Sequence, residues 1–231
     1  HYCNRWGVIP GHNISIYTNN DDGWETAKDL KKAGCNVVCI IDQRSNIKPP
    51  VEDIEHILGK NIVKAKGNLR ISSITLDNGR VINTDCLAVS GGYNPNLHLT
   101  CHQRGKPKWN EVNHCFVPHN PPKTMEVIGA ANGLFNYEEM FKDSKIKLTK
   151  ILKNLGFRKI AVEKVNITKK VYQVSPFPKK IPVGKVLVDL QNDVTVKDIK
   201  LAVHEGFHSV ELLKRYTTLG MATDQGKNSN V

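Results

Sequence analysis

The chain lacks the sequence features of a membrane-spanning protein and of a disulfide-stabilised secreted protein. No apolar run in its 231 residues is long enough to cross a bilayer, and we expect no signal peptide. None of the six cysteines forms a Cys-x-x-Cys pair, and a chain of this length does not need disulfides to fold. These absences predict reduced thiols, a cytoplasmic location and no membrane partner.

Acidic residues are outnumbered by basic ones, and aromatic residues are few. The sequence has 33 Lys and Arg against 22 Asp and Glu, a formal net charge of +11, and 6% aromatic residues. A basic balance is typical of proteins that bind nucleic acid, but here the lysines are scattered and not interleaved with aromatic residues. We therefore expect no nucleic-acid partner and a solvated basic surface, part of which is available to an acidic partner subunit.

No pattern of catalytic side chains is present. The sequence shows no Ser/His/Asp nucleophile arrangement and no pair of carboxylates placed for acid–base catalysis. Cys101-His102 and His114-Cys115 carry side chains that bind zinc, but adjacent Cys-His pairs depart from the usual ligand spacing. We predict exposed loop residues there, no metal site and no catalytic residue.

The first part of the chain alternates between strand and helix patterns. Residues 13–18 are predicted to form a strand and residues 36–42 a second, nearly continuous apolar strand, and residues 22–33 between them show an amphipathic helix pattern. This order predicts a βαβ unit. A helix is also predicted over 51–58, a strand over 61–65, and over 1–7 the last turn of a helix that begins upstream.

Beyond residue 65 the pattern changes to hairpin and loop signals. Asp77-Asn-Gly79 predicts a tight primed turn, because Asn-Gly accepts positive φ angles. A polar stretch over 98–122 is predicted to be irregular. Strands are expected over 69–76, 80–83, 86–90 and 125–129, and a long helix over 137–155.

Three segments are predicted along the chain. Residues 1–156 form a partial FAD/NAD(P)-binding-type nucleotide domain, and residues 157–184, which contain three prolines and several lysines, form a linker or wrapping arm. Residues 185–231 form a small helical module. In that module we expect Thr195 to cap one helix and Ser209 to cap the next.

The first strand-to-helix turn lacks the glycines of a dinucleotide fingerprint. Glycines at Gly-x-Gly-x-x-Gly spacing let the backbone approach a pyrophosphate, whereas this turn is Thr18-Asn-Asn-Asp-Asp-Gly-Trp24. Asp21 and Asp22 place carboxylates where the phosphate would lie, and we expect them to cap the helix. Asp42 stands where a ribose-binding acid would be, and we interpret it as an ordinary strand-end residue. This half-domain is predicted to have lost its nucleotide.

Two glycine-containing segments that follow strands are candidates for contact with a dinucleotide. They are Leu87-Ala-Val-Ser-Gly-Gly-Tyr-Asn-Pro95 and Val127-Ile-Gly-Ala-Ala-Asn-Gly133. In two-dinucleotide flavoproteins of the disulfide-reductase type, such turns let main chain pass close to a bound dinucleotide. The alternative, that these glycines only make tight turns, stays open on the sequence alone.

Five stretches carry a family resemblance: Tyr17-Thr-Asn-Asn20, residues 87–95, Gly129-Ala-Ala-Asn-Gly133, residues 189–198 and residues 205–227. Their order resembles the family of sarcosine oxidase alpha subunits over essentially the whole chain. The implied fold is α/β, with a partial two-dinucleotide-binding, disulfide-reductase-like Rossmann-type domain. A small helical module follows that resembles the bacterioferritin-associated-ferredoxin-type [2Fe-2S] domain without its cluster.

The resemblance implies a subunit of a cytoplasmic oxidoreductase that demethylates sarcosine to glycine and forms hydrogen peroxide and methylene-tetrahydrofolate. In this family the amine is oxidised at FAD in the beta subunit, FMN lies at the alpha–beta boundary, and the alpha subunit holds NAD. The implied partners are the beta, gamma and delta subunits of a heterotetramer. The family's NAD fingerprint would lie upstream of His1 and its tetrahydrofolate-binding domain downstream of Val231.

The resemblance also assigns binding residues. Ala130 and Gly133 would permit close approach of NAD, Phe135 would pack on it, and Tyr137 would contribute amides or its hydroxyl; many relatives have Thr at this last position. The residues expected at NAD are Gly91, Gly92, Ala130, Asn132, Gly133, Phe135 and Tyr137. Those expected at the FMN phosphate are Lys214, Arg215, Thr217, Thr218 and Lys227.

The last module is predicted to hold no iron–sulfur cluster. Such a cluster needs cysteine thiolates, and the family's cysteine positions correspond here to Asp189, Gln191, Asp224 and Ser229. Two alternatives to a sarcosine oxidase subunit stay open. One is a subunit of a dehydrogenase acting on hydroxyproline, octopine or another secondary amine, and the other is a non-catalytic assembly module. The chain alone is expected to be inactive.

Overall fold

The computed structural model describes residues 1–157, 173–176 and 182–226. Within these ranges no helix is long and apolar enough to cross a membrane. The helices are α1 (Tyr2–Trp6), α2 (Asp21–Lys32), α3 (His98–His102), α4 (Tyr137–Asn154), α5 (Val196–His204) and α6 (Val210–Thr217), with a 3-10 turn over Gly129–Asn132. The strands are β1 (Asn13–Thr18), β2 (Asn36–Asp42), β3 (Glu55–Leu58), β4 (Ile62–Gly67), β5 (Ile71–Leu76), β6 (Val81–Asn83), β7 (Cys86–Ser90), β8 (Lys106–Asn110), β9 (Cys115–His119), β10 (Leu187–Asp189) and β11 (Val194–Thr195).

A parallel sheet with the strand order β3-β2-β1-β7 organises the nucleotide-type part of the chain. Ile14, Ile16 and Ile40 pack with α2 on one face of this sheet. Tyr17 and Ile41 pack on the other face against the antiparallel sheet β4-β5-β6. Because both faces are covered, β1 and β2 are buried or half-buried along most of their length, and β2 is almost continuously apolar. The predicted βαβ unit is confirmed.

The helix predicted over residues 51–58 is wrong. Residues 55–58 form β3, which pairs in parallel with β2 from Cys39↔Glu55 to Asp42↔Leu58. Val51 and Ile54 are buried against the α2 side of the sheet, a spacing that also fits one turn of helix. The edge of β2 offers backbone hydrogen bonds to this segment, and local periodicity does not reveal such a tertiary partner.

The strand predicted over residues 125–129 is also wrong. The segment leads directly into the 3-10 turn and, within the described ranges, joins no sheet. The carbonyl of Val127 accepts a hydrogen bond of 2.8 Å from Lys147 Nζ on α4. A side chain therefore satisfies a backbone group that a neighbouring strand would otherwise pair.

The stretch predicted to be irregular over 98–122 contains α3 and the antiparallel hairpin β8–β9. Trp109 and Phe116 pack edge to face on this hairpin with ring centroids 5.1 Å apart. Pro107 and Pro118 lie opposite each other in the register, and prolines at such positions hide a strand from sequence patterns. The expectation of exposed loop residues is wrong for Cys115, which is 2% exposed.

The turn after β5 differs in type from the one predicted. Leu76 N donates to Arg80 O at 2.8 Å across the three residues 77–79, and of these only Gly79 has a positive φ, 86°. A three-residue loop with glycine in the left-handed region places a bulge at the end of the hairpin. The hairpin itself is confirmed.

The last module has its own small core, formed by Val194, Ala202, Leu213 and Leu219. Thr195 begins α5 with a reciprocal capping box: its side chain accepts from Asp198 N, and the Asp198 carboxylate accepts from Thr195 N. Ser209 occupies the N-cap position of α6 but makes no side-chain capping hydrogen bond. Both predicted helices are present.

One buried ion pair joins β2, α2 and the turn between β1 and α2. Asp42 is fully buried and accepts hydrogen bonds from Trp24 Nε1 at 2.8 Å and from Arg44 Nη2 at 2.8 Å. Arg44 Nη1 also donates to Asp21 Oδ1 at 2.8 Å. A carboxylate taken out of water needs such partners, because an unpaired buried charge is strongly destabilising.

Replacing Arg44 should therefore destabilise the sheet. We expect Arg44→Ala to lower the free energy of unfolding by about 3–5 kcal/mol, since Asp42 is left buried without its cation. Denaturant unfolding followed by circular dichroism would measure this change. Arg80→Ala is the matched control, because Arg80 and Glu55 pair at 2.7 Å but are both about half exposed, so we expect a much smaller loss of unfolding free energy. Equal losses in the two variants would contradict the assignment.

Candidate nucleotide-binding site

The turn between β1 and α2 has the length of a dinucleotide-binding turn, but side chains occupy two of the three positions at which the fingerprint has glycine. Thr18, Asn20 and Gly23 stand at the spacing of the three fingerprint glycines. A Cβ on Gly23 would lie 2.5 Å from Thr18 Cβ, so this glycine serves the close approach of helix to strand. The sequence analysis did not identify Gly23 as the third fingerprint position, although its spacing from Thr18 and Asn20 indicates this.

Asparagine, not aspartate, caps α2. Asn20 Oδ1 accepts from Asp22 N at 3.0 Å, and Asn20 Nδ2 donates to Ser90 O at 2.9 Å. The expectation that Asp21 and Asp22 cap the helix is wrong; they lie in its first turn. Asn20 is fully buried and sits where the second fingerprint glycine would leave room for a phosphate.

The acid at the end of β2 is already engaged within the protein. Both oxygens of Asp42 accept from Arg44, and Oδ2 also accepts from Trp24. A ribose hydroxyl would have to displace these contacts. The interpretation of Asp42 as an ordinary strand-end residue is too weak, because this carboxylate organises the buried cluster of Trp24, Asp42 and Arg44. No sequence pattern pointed to Arg44 as the partner of Asp42.

The short described segment 173–176 lies across the same turn. Gln173 N donates to Asp21 Oδ2 at 3.0 Å, and Ser175 N donates to Asn19 O at 3.1 Å. Asn19 Nδ2 donates to Ser175 O, and Asn20 and Val174 form an antiparallel bridge. The chain itself therefore occupies hydrogen-bonding groups of the turn. Most of the predicted linker, residues 158–172 and 177–181, lies outside the described residues.

A second site forms where the loop after β7 meets the start of α4. Ala130, Phe135 and Tyr137 line a cavity of about 240 Å³, together with Asp22, Tyr93 and Met140. The rings of Tyr93 and Phe135 are 5.2 Å apart. Burial, with a hydrogen bond to Asp22, raises the pKa of Tyr93 to about 12, so its hydroxyl stays protonated. Sequence reasoning missed Tyr93 and Asp22.

The other residues predicted at NAD have structural roles in this arrangement. Gly133 adopts φ 76°, and a Cβ there would lie 2.5 Å from Val117 Cγ1. Asn132 Nδ2 approaches Asp143 Oδ2 at 3.5 Å. Gly91 and Gly92 border a separate cavity of about 320 Å³. The structure thus gathers three of the seven predicted residues around one cavity.

The start of α4 orients backbone amides toward that loop. Asn136 caps the helix through a hydrogen bond from Glu138 N at 2.9 Å, and Tyr137 is the first helical residue. An 18-residue helix carries partial positive charge at this end. Glu138 and Glu139 in the first turn are exposed and partly offset it.

The residues predicted at the FMN phosphate gather at the end of α6. Arg215 pairs with Glu211 at 3.0 Å, and both are exposed. Thr217 Oγ1 donates to Leu213 O, and Thr218 ends the helix with φ 61°. Lys214 is half-buried on the same helix. Lys227 lies outside the described residues.

Asp189 is one of the residues expected at the position of a cluster cysteine. It is 3% exposed, and its carboxylate accepts from Gly220 N at 2.9 Å and Gln191 N at 2.9 Å. These bonds lower the pKa of Asp189. Of the other positions, Asp224 is described and Ser229 is not. Within residues 1–157, 173–176 and 182–226, no group of three His, Cys, Asp or Glu side chains is placed to hold a metal ion.

Known proteins align with the whole chain. A family model described as the sarcosine oxidase A3 domain matches residues 183–231. The chain is 39% identical to a sarcosine oxidase subunit alpha of Rhizobium meliloti (strain 1021) and 33% identical to one of Corynebacterium sp. (strain U-96). Each alignment covers 100% of this chain and 24% or 26% of the relative. The chain therefore spans about a quarter of the length of these curated relatives.

A solved structure of similar fold is that of L-proline dehydrogenase from P. horikoshii. It matches with a TM-score of 0.65 and 18% identity, over 97% of this chain and 44% of that one. The similarity extends through the nucleotide-type part and the last module. It supports the predicted α/β class.

The Asp189 contacts predict a pH-dependent stability. The lowered pKa of the folded carboxylate means that its stabilisation is present above the usual carboxyl range and is lost as pH falls through the folded pKa. We expect Asp189→Asn to lower the thermal midpoint at neutral pH, and the difference from wild type to shrink toward pH 3. The exposed Asp193 supplies the control Asp193→Asn. A deficit of equal size at every pH would contradict an ionic role.

Proposed function

We propose that this chain is part of a sarcosine oxidase alpha subunit, and that it supplies one wall of the NAD site and part of the flavin-contacting surface of that subunit. The whole enzyme would oxidatively demethylate sarcosine to glycine, forming hydrogen peroxide and methylene-tetrahydrofolate. Amine oxidation would take place at FAD on the beta subunit. No residue of this chain has a bond-making role in this proposal.

The convergence of Ala130, Phe135 and Tyr137 on one cavity with Tyr93 is the observation that carries the NAD assignment. The two aromatic rings form an apolar wall, and Ala130 keeps the opposite side free of bulk. The start of α4 adds backbone N–H groups that favour an anionic group nearby. NAD bound here would pack on the rings of Tyr93 and Phe135.

The filled β1–α2 turn supports the same assignment by exclusion. Asn20 takes the place of a fingerprint glycine, Arg44 engages the ribose-acid position, and segment 173–176 covers the turn. A dinucleotide at that crevice would have to break the buried ion pair. The cavity at Ala130 requires no such loss.

The end of α6 is the proposed contact with FMN. Lys214, Arg215 and Thr218 lie within five residues of one another, where positive charge and a hydroxyl suit a phosphate. The FMN would be shared with the beta subunit. Gamma and delta subunits, a tetrahydrofolate site outside this stretch and a cytoplasmic location complete the proposed heterotetramer, and we propose no iron–sulfur cluster.

A subunit of another secondary-amine dehydrogenase is the second candidate, because the similar fold of L-proline dehydrogenase extends over nearly the whole chain. Steady-state oxidation of sarcosine, hydroxyproline, octopine and proline by the full enzyme would separate the two. We expect sarcosine to have the highest kcat/KM. A preparation that retains no NAD and oxidises none of these amines would instead favour an assembly module.

A proline substitution at Tyr137, the first residue of α4, tests whether the backbone of this residue contacts NAD. Proline is tolerated at the first helical residue but has no N–H, so Tyr137→Pro differs from Tyr137→Ala chiefly in that donor. We expect Tyr137→Pro to weaken NAD retention by about 10–100-fold, as for loss of a hydrogen bond to a charged group. Retention would be measured as NAD released per full-length alpha subunit after denaturation.

Two comparisons make this test specific. Tyr137→Phe should retain NAD as wild type does, because it removes only the hydroxyl. Phe141→Ala, an exposed aromatic of the same helix, should also have no effect. Equal retention by the alanine and proline variants at 137 would rule out the backbone contact.

The FMN contact predicts a charge-specific effect on α6. Lys214→Met keeps the length and apolar stem of the side chain but removes its charge. We expect a severalfold lower FMN-to-FAD ratio in the purified complex, measured by fluorescence after extraction and proteolysis. Lys200→Met, on the exposed face of α5, is the matched control and should leave the ratio unchanged. An unchanged ratio in Lys214→Met would place the phosphate elsewhere.

A further inference from the structure

A cavity at the carboxyl ends of β1 and β7 lies beside the proposed NAD wall and shares Tyr93 with it. It has a volume of about 320 Å³ and lies between the Gly91–Gly92 loop, the β8–β9 hairpin and segment 173–176. In open α/β sheets, ligands bind outside the carboxyl ends of the strands at the point where the strand order reverses. In the order β3-β2-β1-β7 that point is between β1 and β7.

Protein groups occupy the end of this crevice at which a phosphate would bind, beside the β1–α2 turn. Segment 173–176 pairs with Asn19 and Asn20, and Arg44 is held by Asp42 and Asp21. Among the described residues, no Lys, Arg, Asp or Glu lines the remaining cavity. A phosphate would therefore find no lysine or arginine there, only the imidazole of His114, and would meet the carboxylates of the neighbouring α2 turn. The cavity suits an uncharged ligand.

Aromatic rings form one wall of the cavity. Trp109 and Phe116 pack edge to face on the β8–β9 hairpin, yet they are 42% and 40% exposed. In a chain with few aromatic residues, two half-exposed rings beside a cavity are an unusual use of apolar surface. Aromatic faces of this kind stack on planar heterocycles.

Fixed polar groups complete the lining. Asn94 Oδ1 accepts from Phe116 N at 3.2 Å, Asn113 Nδ2 donates to Gly133 O at 2.9 Å, and Asn19 is held by Gly91 O and Ser175 O. The side-chain amides are thus oriented before any ligand arrives, which lowers the entropic cost of binding. Ser175 Oγ is buried and has no hydrogen-bond partner among the described residues.

We propose that this cavity is a second small-molecule site, for a neutral planar heteroaromatic compound of the size of a purine base, stacked beside Trp109 and hydrogen-bonded by the asparagine amides and Ser175. Its volume is about twice that of an apolar cavity known to admit a benzene ring, so a fused two-ring system fits. The attached sugar of a nucleoside would lie at the open edge. The site adjoins the proposed NAD wall, because Tyr93 lines both cavities, and saturating NAD in the binding test separates the two.

Equilibrium dialysis of adenosine against the full-length protein that contains this stretch tests the site, with NAD present at saturation to fill any dinucleotide site. We expect one saturable adenosine site per chain, and binding of AMP at least about tenfold weaker because its phosphate is repelled. Trp109→Ala should weaken adenosine about tenfold or more through lost stacking. Trp6→Ala, a half-exposed tryptophan on α1, should leave it unchanged.

Two further variants keep the test decisive if Trp109→Ala does not fold. Phe116→Leu is a milder change of the same wall and should weaken adenosine severalfold. Ser175→Leu fills the cavity while keeping the backbone pairing with Asn19, and should abolish binding without changing NAD retention. The proposal fails if adenosine shows no saturable binding, if AMP binds as tightly, or if the cavity variants bind like Trp6→Ala.

Discussion

The buried pair of Asp42 and Arg44 is the interaction on which the arrangement of this chain depends. A carboxylate with no solvent exposure at the end of β2 requires a cation, and Arg44 lies two residues away to provide it. The same guanidinium reaches Asp21 on α2 and the carbonyl of Gln173. One side chain therefore ties the sheet, the helix and the segment that crosses the turn into a single network.

That network places protein groups at the crevice where a nucleotide-type fold usually binds its ligand. Protein groups now fill the hydrogen bonds that a ribose and a pyrophosphate would make, and Asn20 removes the space between them. The scaffold remains useful because it fixes the loop after β7 and the hairpin β8–β9. Tyr93 and Phe135 on one side, and Trp109 and Phe116 on the other, are positioned by the same rigid sheet.

Local sequence patterns predicted most of the helices and strands whose apolar residues recur at regular spacing. β1, α2, β2 and α4 follow from apolar periodicity and helix-end residues, which act within a few positions of the chain. The errors fall where a distant partner decides. β3 forms because the edge of β2 is open, and residues 125–128 stay extended without a sheet while Lys147 binds their backbone. Prolines concealed the β8–β9 hairpin.

The sequence by itself determined the α/β class, the loss of the fingerprint glycines, the absence of cysteine from the last module and the resemblance to sarcosine oxidase alpha subunits. These are properties of residue type and order, and no folding is needed to see them. Only the tertiary structure decided that Arg44 neutralises Asp42, that segment 173–176 covers the β1–α2 turn, and that Tyr93 joins Phe135. Such contacts bring together groups up to 156 positions apart, as Asn19 and Ser175 are, and no local pattern encodes a distance in space.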